Sequence, residues 1–167
     1  VVRVHANGLS DVYQQRLVEV FDDRAARDLD DFEIRYSPDS QSVEVRAARI
    51  HKASGERIEV AFSGDRDLSE PWYGLYYDVH ARVVSFSGLA KGDILEVEYV
   101  VSDIAQRNYL VDYFGDMHFL QEERPRKESR YTVVAPKGRT LYFNAPALKD
   151  LKHEIVEKEG EEIHSFV

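Results

Sequence analysis

The side chains that carry chemistry in this chain are carboxylates, histidines and aromatic rings; there is no thiol. Among its 167 residues are 31 Asp and Glu, six His and no Cys. The absence of cysteine removes thiolate nucleophiles, disulfides and Cys-based zinc sites together. His5, His51, His80, His118, His153 and His164 show no H-x-H, H-x3-H or HExxH spacing, the patterns that aim two imidazoles from one element at one metal. A metal site would have to be assembled across strands, and half-buried or surface imidazoles are the expectation. Ser63-Gly64 and Ser87-Gly88 lack the Gly-x-Ser-x-Gly context that lifts a serine onto a strained elbow. The residues therefore predict no catalytic side chain, no metal ligand and no cofactor.

Carboxylate pairs are plentiful. Asp65 with Asp67, Glu96 with Glu98, and Asp112 with Asp116 each have the composition of a glycosidase couple. Glu96 and Glu98 fall on the strand face opposite Leu95 and Val97, so a solvated sheet face is expected for them. The loop Gly64-Asp65-Arg66-Asp67 lacks the dense oxygen ligands of a calcium loop, and an acid-rich turn accounts for it. Gly115 and Gly138 stand singly, which excludes a glycine-rich phosphate loop.

The aromatic residues form two groups, Trp72, Tyr73, Tyr76 and Tyr77 after Pro71, and Tyr109, Tyr113, Phe114 and Phe119 further on. Exposed rings dock sugars and peptides and anchor many interfaces. Trp72, Tyr73, Tyr76, Tyr113 and Phe114 are accordingly the candidate binding residues, with cell-wall glycan or an extended peptide as the ligand class. The competing role for each ring is to fill space between sheets, and alternation directs Tyr77 and Phe119 to that role. Arg124, Arg126, Lys127 and Arg130 around Pro125 make a local positive patch, expected as a solvated hairpin edge.

The elements that must position these groups are strands. Phe32, Ile34 and Tyr36 alternate with charged neighbours, as do Val43, Val45 and Ala47, then Ile58, Val60 and Phe62, then Leu95, Val97, Tyr99 and Val101. Shorter runs span Tyr131–Val134 and Leu141–Phe143, and the segment from Glu161 ends the chain as a strand. One dry and one wet face per strand predicts antiparallel sheets stacked on each other. Ser54-Gly55, Lys137-Gly138 and Lys158-Glu159-Gly160-Glu161 read as turns between strands, and Ser87-Gly88 and Lys91-Gly92-Asp93 bracket a tight connection. Two segments break the pattern: 22–31 suits one or two helical turns, and 102–113 suits either a short helix or an irregular excursion. The predicted fold is all-β, an antiparallel β-sandwich of many short strands with at most one or two short helical segments. No Pro- or Ser-rich linker and no repeat divides it, so residues 1–167 are read as one domain.

The net charge of -9, with 31 acids against 22 bases, argues against nucleic acid, whose binding rests on clustered Lys and Arg, and against anionic lipid. No apolar run approaches the roughly 20 residues of a membrane span, and membrane insertion is not expected. The chain opens on Val1 and ends at Val167 without a polar tail, which reads as a piece of a longer protein.

Residues 77–99, YDVHARVVSFSGLAKGDILEVEY, carry a strand, the turn Gly88-Leu89-Ala90-Lys91-Gly92-Asp93, and a strand with Glu96, Glu98 and Tyr99. Phe32-Glu33-Ile34-Arg35-Tyr36 with Gln41, Val43 and Val45 precedes them, then Ala48-Arg49-Ile50 and Ser54-Gly55. Tyr113-Phe114-Gly115-Asp116 with Phe119 and Gln121 follows, then Arg130-Tyr131 through Ala135-Pro136-Lys137-Gly138. From about Asp11 onward this pattern resembles DUF3857, the N-terminal domain of uncharacterised bacterial proteins in which a transglutaminase-like domain usually follows. The resemblance implies a β-sandwich exported to the periplasm or cell surface, with an adjacent transglutaminase-like domain of the same polypeptide as its partner. Without cysteine, no catalytic residue of that adjacent domain can be carried over. The expected function is a non-catalytic accessory or scaffold domain that positions a transglutaminase-like or peptidase-like neighbour. The alternative is a glycan- or peptide-binding module, and a two-carboxylate hydrolase is the third reading.

Overall fold

The computed structural model describes residues 1–68, 78–120, 125–144 and 150–167. Trp72, Tyr73 and Tyr76, with Tyr77, lie outside the described residues, as does Arg124. In chain order the elements are β1 (Val2–Val4), β2 (Ser10–Glu19), α1 (Asp23–Asp28), β3 (Asp31–Tyr36), β4 (Gln41–His51), β5 (Arg57–Glu59), β6 (Phe62–Asp67), β7 (His80–Ser85), β8 (Ile94–Asp103), β9 (Tyr131–Pro136), β10 (His153–Lys158) and β11 (Glu161–Phe166). The fold is all-β, as the alternation predicts, and α1 falls inside the polar 22–31 segment. Its start is fixed by Asp22, whose carboxylate accepts from the Ala25 N–H at 2.7 Å, with Asp23 in the first turn and Arg27 in the last complementing the helix dipole. Among the described residues no helix is long and apolar enough to cross a membrane.

The chain divides into two units, Val1–Val12 with Gln106–Val167, and Tyr13–Ala105. In the second unit, strands in the order β2-β8-β4-β5 form one sheet and β3-β7-β6 another. Ile34 and Tyr36 of β3 and Val84 of β7 share a core with Val43, Ala48 and Ile50 of β4 and Leu95, Val97 and Tyr99 of β8, closed by Val20, Leu29 and Phe86. Full burial of a side chain such as Ile34, Ile50 or Leu95 contributes roughly 1.5–3 kcal/mol. An exposed ion pair contributes roughly 0–1 kcal/mol, so this core outweighs the many surface pairs.

Two departures from simple alternation shape this unit. A bulge between Val45 and Ala47 inserts one residue into β4, and the face pointing at the core changes from odd to even numbers. Val43 and Val45 pack inward before it, Ala48 and Ile50 after it, and Ala47, expected in the same series as Val43, faces the other way. The run from Ile58 to Phe62, expected as one strand, is divided between sheets: β5 pairs with β4 and β6 with β7. The Val60 N–H still donates to the Ala48 carbonyl at 2.8 Å, so the chain leaves the first sheet just beyond Val60.

In the first unit the strand order is β10-β11-β9-β1, with the start of β2 beside β1. Against the expectation of wholly antiparallel sheets, β1 runs parallel to β9. Val2, Val4, Val133 and Ala135 form a small core, with Phe114, Tyr131 and Leu141 packed against it. Lys137-Gly138 turns the chain but opens no hairpin, because both edges of β9 are already taken by β1 and β11. Leu141–Phe143, expected as a strand, is therefore packed as irregular chain. The 104–113 segment is irregular rather than helical, made of successive tight turns closed by Val111 N–H to Asn108 carbonyl and Tyr113 N–H to Leu110 carbonyl, each at 3.2 Å.

The Gly92-Asp93 turn before β8 shows why an aspartate belongs there. Asp93 is 2% exposed, and its carboxylate accepts from Lys52 Nζ at 2.6 Å, Ala90 N–H at 2.8 Å and Ala53 N–H at 3.1 Å. Burial pushes its carboxyl upward, yet the bonds from Lys52, Ala53 and Ala90 outweigh that and hold it below the ordinary carboxylate value. Breaking a buried pair by deleting one partner strands the other charge, at a cost of about 3–5 kcal/mol. Asp93→Ala is expected to destabilise the domain by that amount in urea unfolding. A loss under 1 kcal/mol would mean the turn is held by something else.

Candidate functional site

The strongest concentration of charged chemistry lies on the outer face of the β2-β8-β4-β5 sheet, the face turned away from the core. The bulge in β4 puts Arg49 and His51 there. Alternation in β8 brings Glu96 and Glu98 to the same face, and β2 supplies Tyr13 and Gln15. Glu96 was expected on a solvated face; it is buried instead, 7% exposed. Long polar side chains from both neighbouring strands cover it. One carboxylate oxygen accepts from Gln15 Nε2 at 2.8 Å, and the other meets His51 Nε2 at 2.7 Å and Arg49 Nη1 at 3.4 Å. Glu98 accepts from Tyr13 Oη at 3.2 Å and Gln15 Nε2 at 3.3 Å, with Arg49 3.7 Å away. Arg49 also donates to Glu59 of β5 at 3.0 Å.

This arrangement holds negative charge in place. The bond to His51 lowers the Glu96 carboxyl most; burial opposes it, and Gln15 and Arg49 add to the lowering, taking it from an ordinary 4.5 to about 2. A carboxyl that binds a proton only near pH 2 is no general acid at neutral pH, and both of its oxygens are already engaged. The Tyr13 hydroxyl is pushed up by burial and then by the neighbouring Glu98 charge, so it stays a donor. Glu96 and Glu98, a candidate glycosidase couple by sequence, are instead cross-linked through Gln15 and Arg49.

The other sequence candidates separate in space. Asp65 receives both arms of Arg82, at 2.8 and 2.9 Å, and those bonds hold its carboxyl below the usual range against a smaller effect of burial. Asp116 accepts from Tyr131 Oη at 2.6 Å. Phe114 is half-buried and packs on the small core of the first unit. Tyr113 is exposed, and so is Phe119, against the expectation that it packs inside. Arg126 donates to the Phe119 carbonyl at 2.9 Å, and Arg130 pairs with Glu128, so part of the positive patch is spent locally.

Two histidines that sequence spacing kept apart meet across the β10–β11 hairpin. His153 Nε2 lies 3.2 Å from His164 Nδ1, and His164 Nε2 lies 2.6 Å from Glu162 Oε1. Glu162 accepts from His164 Nε2, and a single hydrogen bond joins the two imidazoles. The rings of Phe143 and Phe166 pack around the pair. Among the described residues no three or more His, Cys, Asp or Glu side chains gather as a metal-holding group.

The Glu96 network predicts a stability change with a definite sign. A carboxyl depressed in the folded state contributes full stability above the unfolded value and loses it as pH falls through the folded one. Between pH 4.5 and pH 2 this group alone is expected to remove about 3 kcal/mol. Glu96→Gln should flatten that part of the profile of urea midpoint against pH. An unchanged acid limb would show that Glu96 is not held as described.

Comparison with known proteins places this geometry. A solved structure of a Parabacteroides distasonis protein, provisionally described as a protease, matches with a TM-score of 0.78 and 18% identity, over 99% of this chain and 33% of that one. At that identity the likeness is one of fold, and this chain spans about one third of the length of that protein. No curated protein matches the sequence. The family described as a domain of unknown function with a solved structure, DUF3857, matches residues 6–166. With nearly its whole length so matched, the chain belongs to the DUF3857 family.

Proposed function

We propose that this domain is a non-catalytic accessory module that positions an adjacent transglutaminase-like or peptidase-like domain of the same polypeptide, in the periplasm or at the cell surface. The observation that carries the reading is the exposed apolar turn at 109–113. Tyr109 is 81%, Leu110 67%, Val111 80% and Tyr113 63% exposed, with Met117 and Phe119 exposed beyond them. Val111 adopts φ 67°, a conformation that β-branched residues avoid and that costs roughly 1–3 kcal/mol.

Polar clamps hold the turn in that state. Asn108 Nδ2 donates to the Tyr113 carbonyl at 2.7 Å and the Asn7 carbonyl at 3.1 Å, and its Oδ1 accepts from the Leu110 N–H at 2.9 Å. Arg139 donates to the Asp112 and Ala6 carbonyls. A Cβ at Gly8, itself at φ +79°, would collide with the Asp112 carbonyl and the Asn108 amide. Apolar rings fixed in water at a conformational cost suit a surface completed by a neighbour. The structural likeness to one third of a protein described as a protease supports a neighbour with hydrolytic chemistry.

A second reading, docking of glycan or an extended peptide, draws on exposed rings, among them Tyr109, Tyr113 and Phe119.

Two measurements test the first reading. In a polypeptide that carries this domain beside its neighbour, replacing Leu110 and Met117 by Ser is expected to lower the neighbour's melting temperature and its activity. Unchanged values would sink the scaffold role. In the isolated domain, Val111→Gly should relieve the strain and raise unfolding stability by about 1 kcal/mol. A loss of stability would mean that Val111 is held by packing.

A further inference from the structure

The β10 strand ends the sheet of its unit and carries no strand on its outer side among the described residues. All six of its residues are exposed, and both faces carry a large apolar side chain, with Ile155 58% and Val156 54% exposed. Such an edge is a template for another strand.

The ladder shows which backbone groups it offers. Lys152 and Val167 exchange both bonds, at 2.9 and 3.0 Å. In the antiparallel register of β10 with β11, bonded pairs recur at every second residue. Glu154, Val156 and Lys158 therefore face β11, and His153, Ile155 and Glu157 aim N–H and C=O outward. The two-residue turn of Glu159 and Gly160, at φ 54° and 82°, matches a bonded Lys158–Glu161 closing pair.

The side chains then select the incoming strand. Glu154-Ile155-Val156-Glu157-Lys158 is self-complementary when read antiparallel to itself. Pairing about a two-fold axis must keep each side chain on its own face, which allows only registers shifted in steps of two. Registers centred on Glu154 or on Glu157 set that carboxylate opposite its own copy, and the one centred on Ile155 sets Lys152 opposite Lys158; like charges directly opposed are destabilising. The register centred on Val156 sets Glu154 opposite Lys158 twice, Val156 against Val156 at the axis, and Ile155 with Glu157 as the bonded pairs. We infer that β10 is a self-association edge, through which two copies of this chain join in this Val156-centred register. The contact is short, so it forms and dissociates with concentration.

Sedimentation equilibrium of the chain from about 10 µM to about 1 mM tests this. A monomer–dimer equilibrium is expected. Glu154→Lys should weaken it about tenfold or more, and adding Lys158→Glu to that variant should restore it. Ile155→Pro removes an outward N–H without touching the β10–β11 ladder and should abolish dimers in a chain whose circular dichroism is unchanged. A chain that stays monomeric throughout, or a dimer indifferent to the charge swap, overturns the inference.

Discussion

Much of the second unit depends on one buried carboxylate. Asp93 binds the ammonium of Lys52 and the N–H of Ala53 at the β4–β5 turn, and the N–H of Ala90 in the β7–β8 connection. Its backbone carbonyl accepts from the Val20 N–H at 2.8 Å, and the Gly92 N–H donates to the Val20 carbonyl at 2.7 Å. Three otherwise separate connections, one following β2, one between β4 and β5 and one between β7 and β8, are thereby pinned to a single residue. Lys52 also reaches the Gly88 carbonyl at 2.9 Å, which ties the two ends of the Gly-Leu-x-x-Gly-Asp turn together. An asparagine has nearly the same shape but brings no charge against Lys52 and offers one acceptor oxygen in place of two. The requirement at this position is thus electrostatic as much as geometric.

The same strands that Asp93 aligns carry a second constraint, the bulge in β4. Were the same sequence to run as a regular strand with no bulge, Arg49 and His51 would share the face of Val43 and Val45 and point into the core, where an unpaired guanidinium is prohibitively costly. With it, they meet Glu96. Buried ion pairs by themselves are weak sources of stability, because desolvation offsets attraction. Here each carboxylate oxygen of Glu96 has a donor, so what the cluster adds is a register in which β2, β4 and β8 fit together. A slip of one residue in any of the three would strand a charge.

Legibility followed burial. Strands with one dry face, β3, β4 and β8, stood out by alternation, and the turns at Ser54-Gly55 and Gly160 by their glycines. The β2 strand does not, because Tyr13, Gln14 and Gln15 spend their polar ends on Glu98, Tyr99 and Glu96, a use invisible without the neighbouring strand. The bulge did leave a signal: apolar residues fall on odd numbers at 43 and 45 and on even numbers at 48 and 50. Following that change of phase would have put His51 and Arg49 beside the acids of β8. The parallel β1–β9 pair had no local signature, since it joins segments some 130 positions apart and nothing within Val2–Val4 specifies orientation. Alternation misplaces Phe119 because it assumes a strand, and the chain there is irregular.

Capacity for binding lies where polar and apolar groups are left uncommitted. Among the described residues no buried side-chain nitrogen or oxygen lacks a hydrogen-bond partner, and in the second unit Glu96, Glu98, Asp65 and Asp93 are all engaged internally. A ligand arriving there would have to break existing bonds before making its own, which cancels most of its gain. The first unit differs in kind. Its β10 edge offers outward backbone groups, and its 109–113 turn holds apolar rings in water behind polar clamps. Neither feature improves the stability of the unit on its own, and the φ of Val111 lowers it. Features held against stability in this way are places where contact with a partner would return energy, and among the described residues such uncommitted groups lie on the first unit rather than on the charged face of the second.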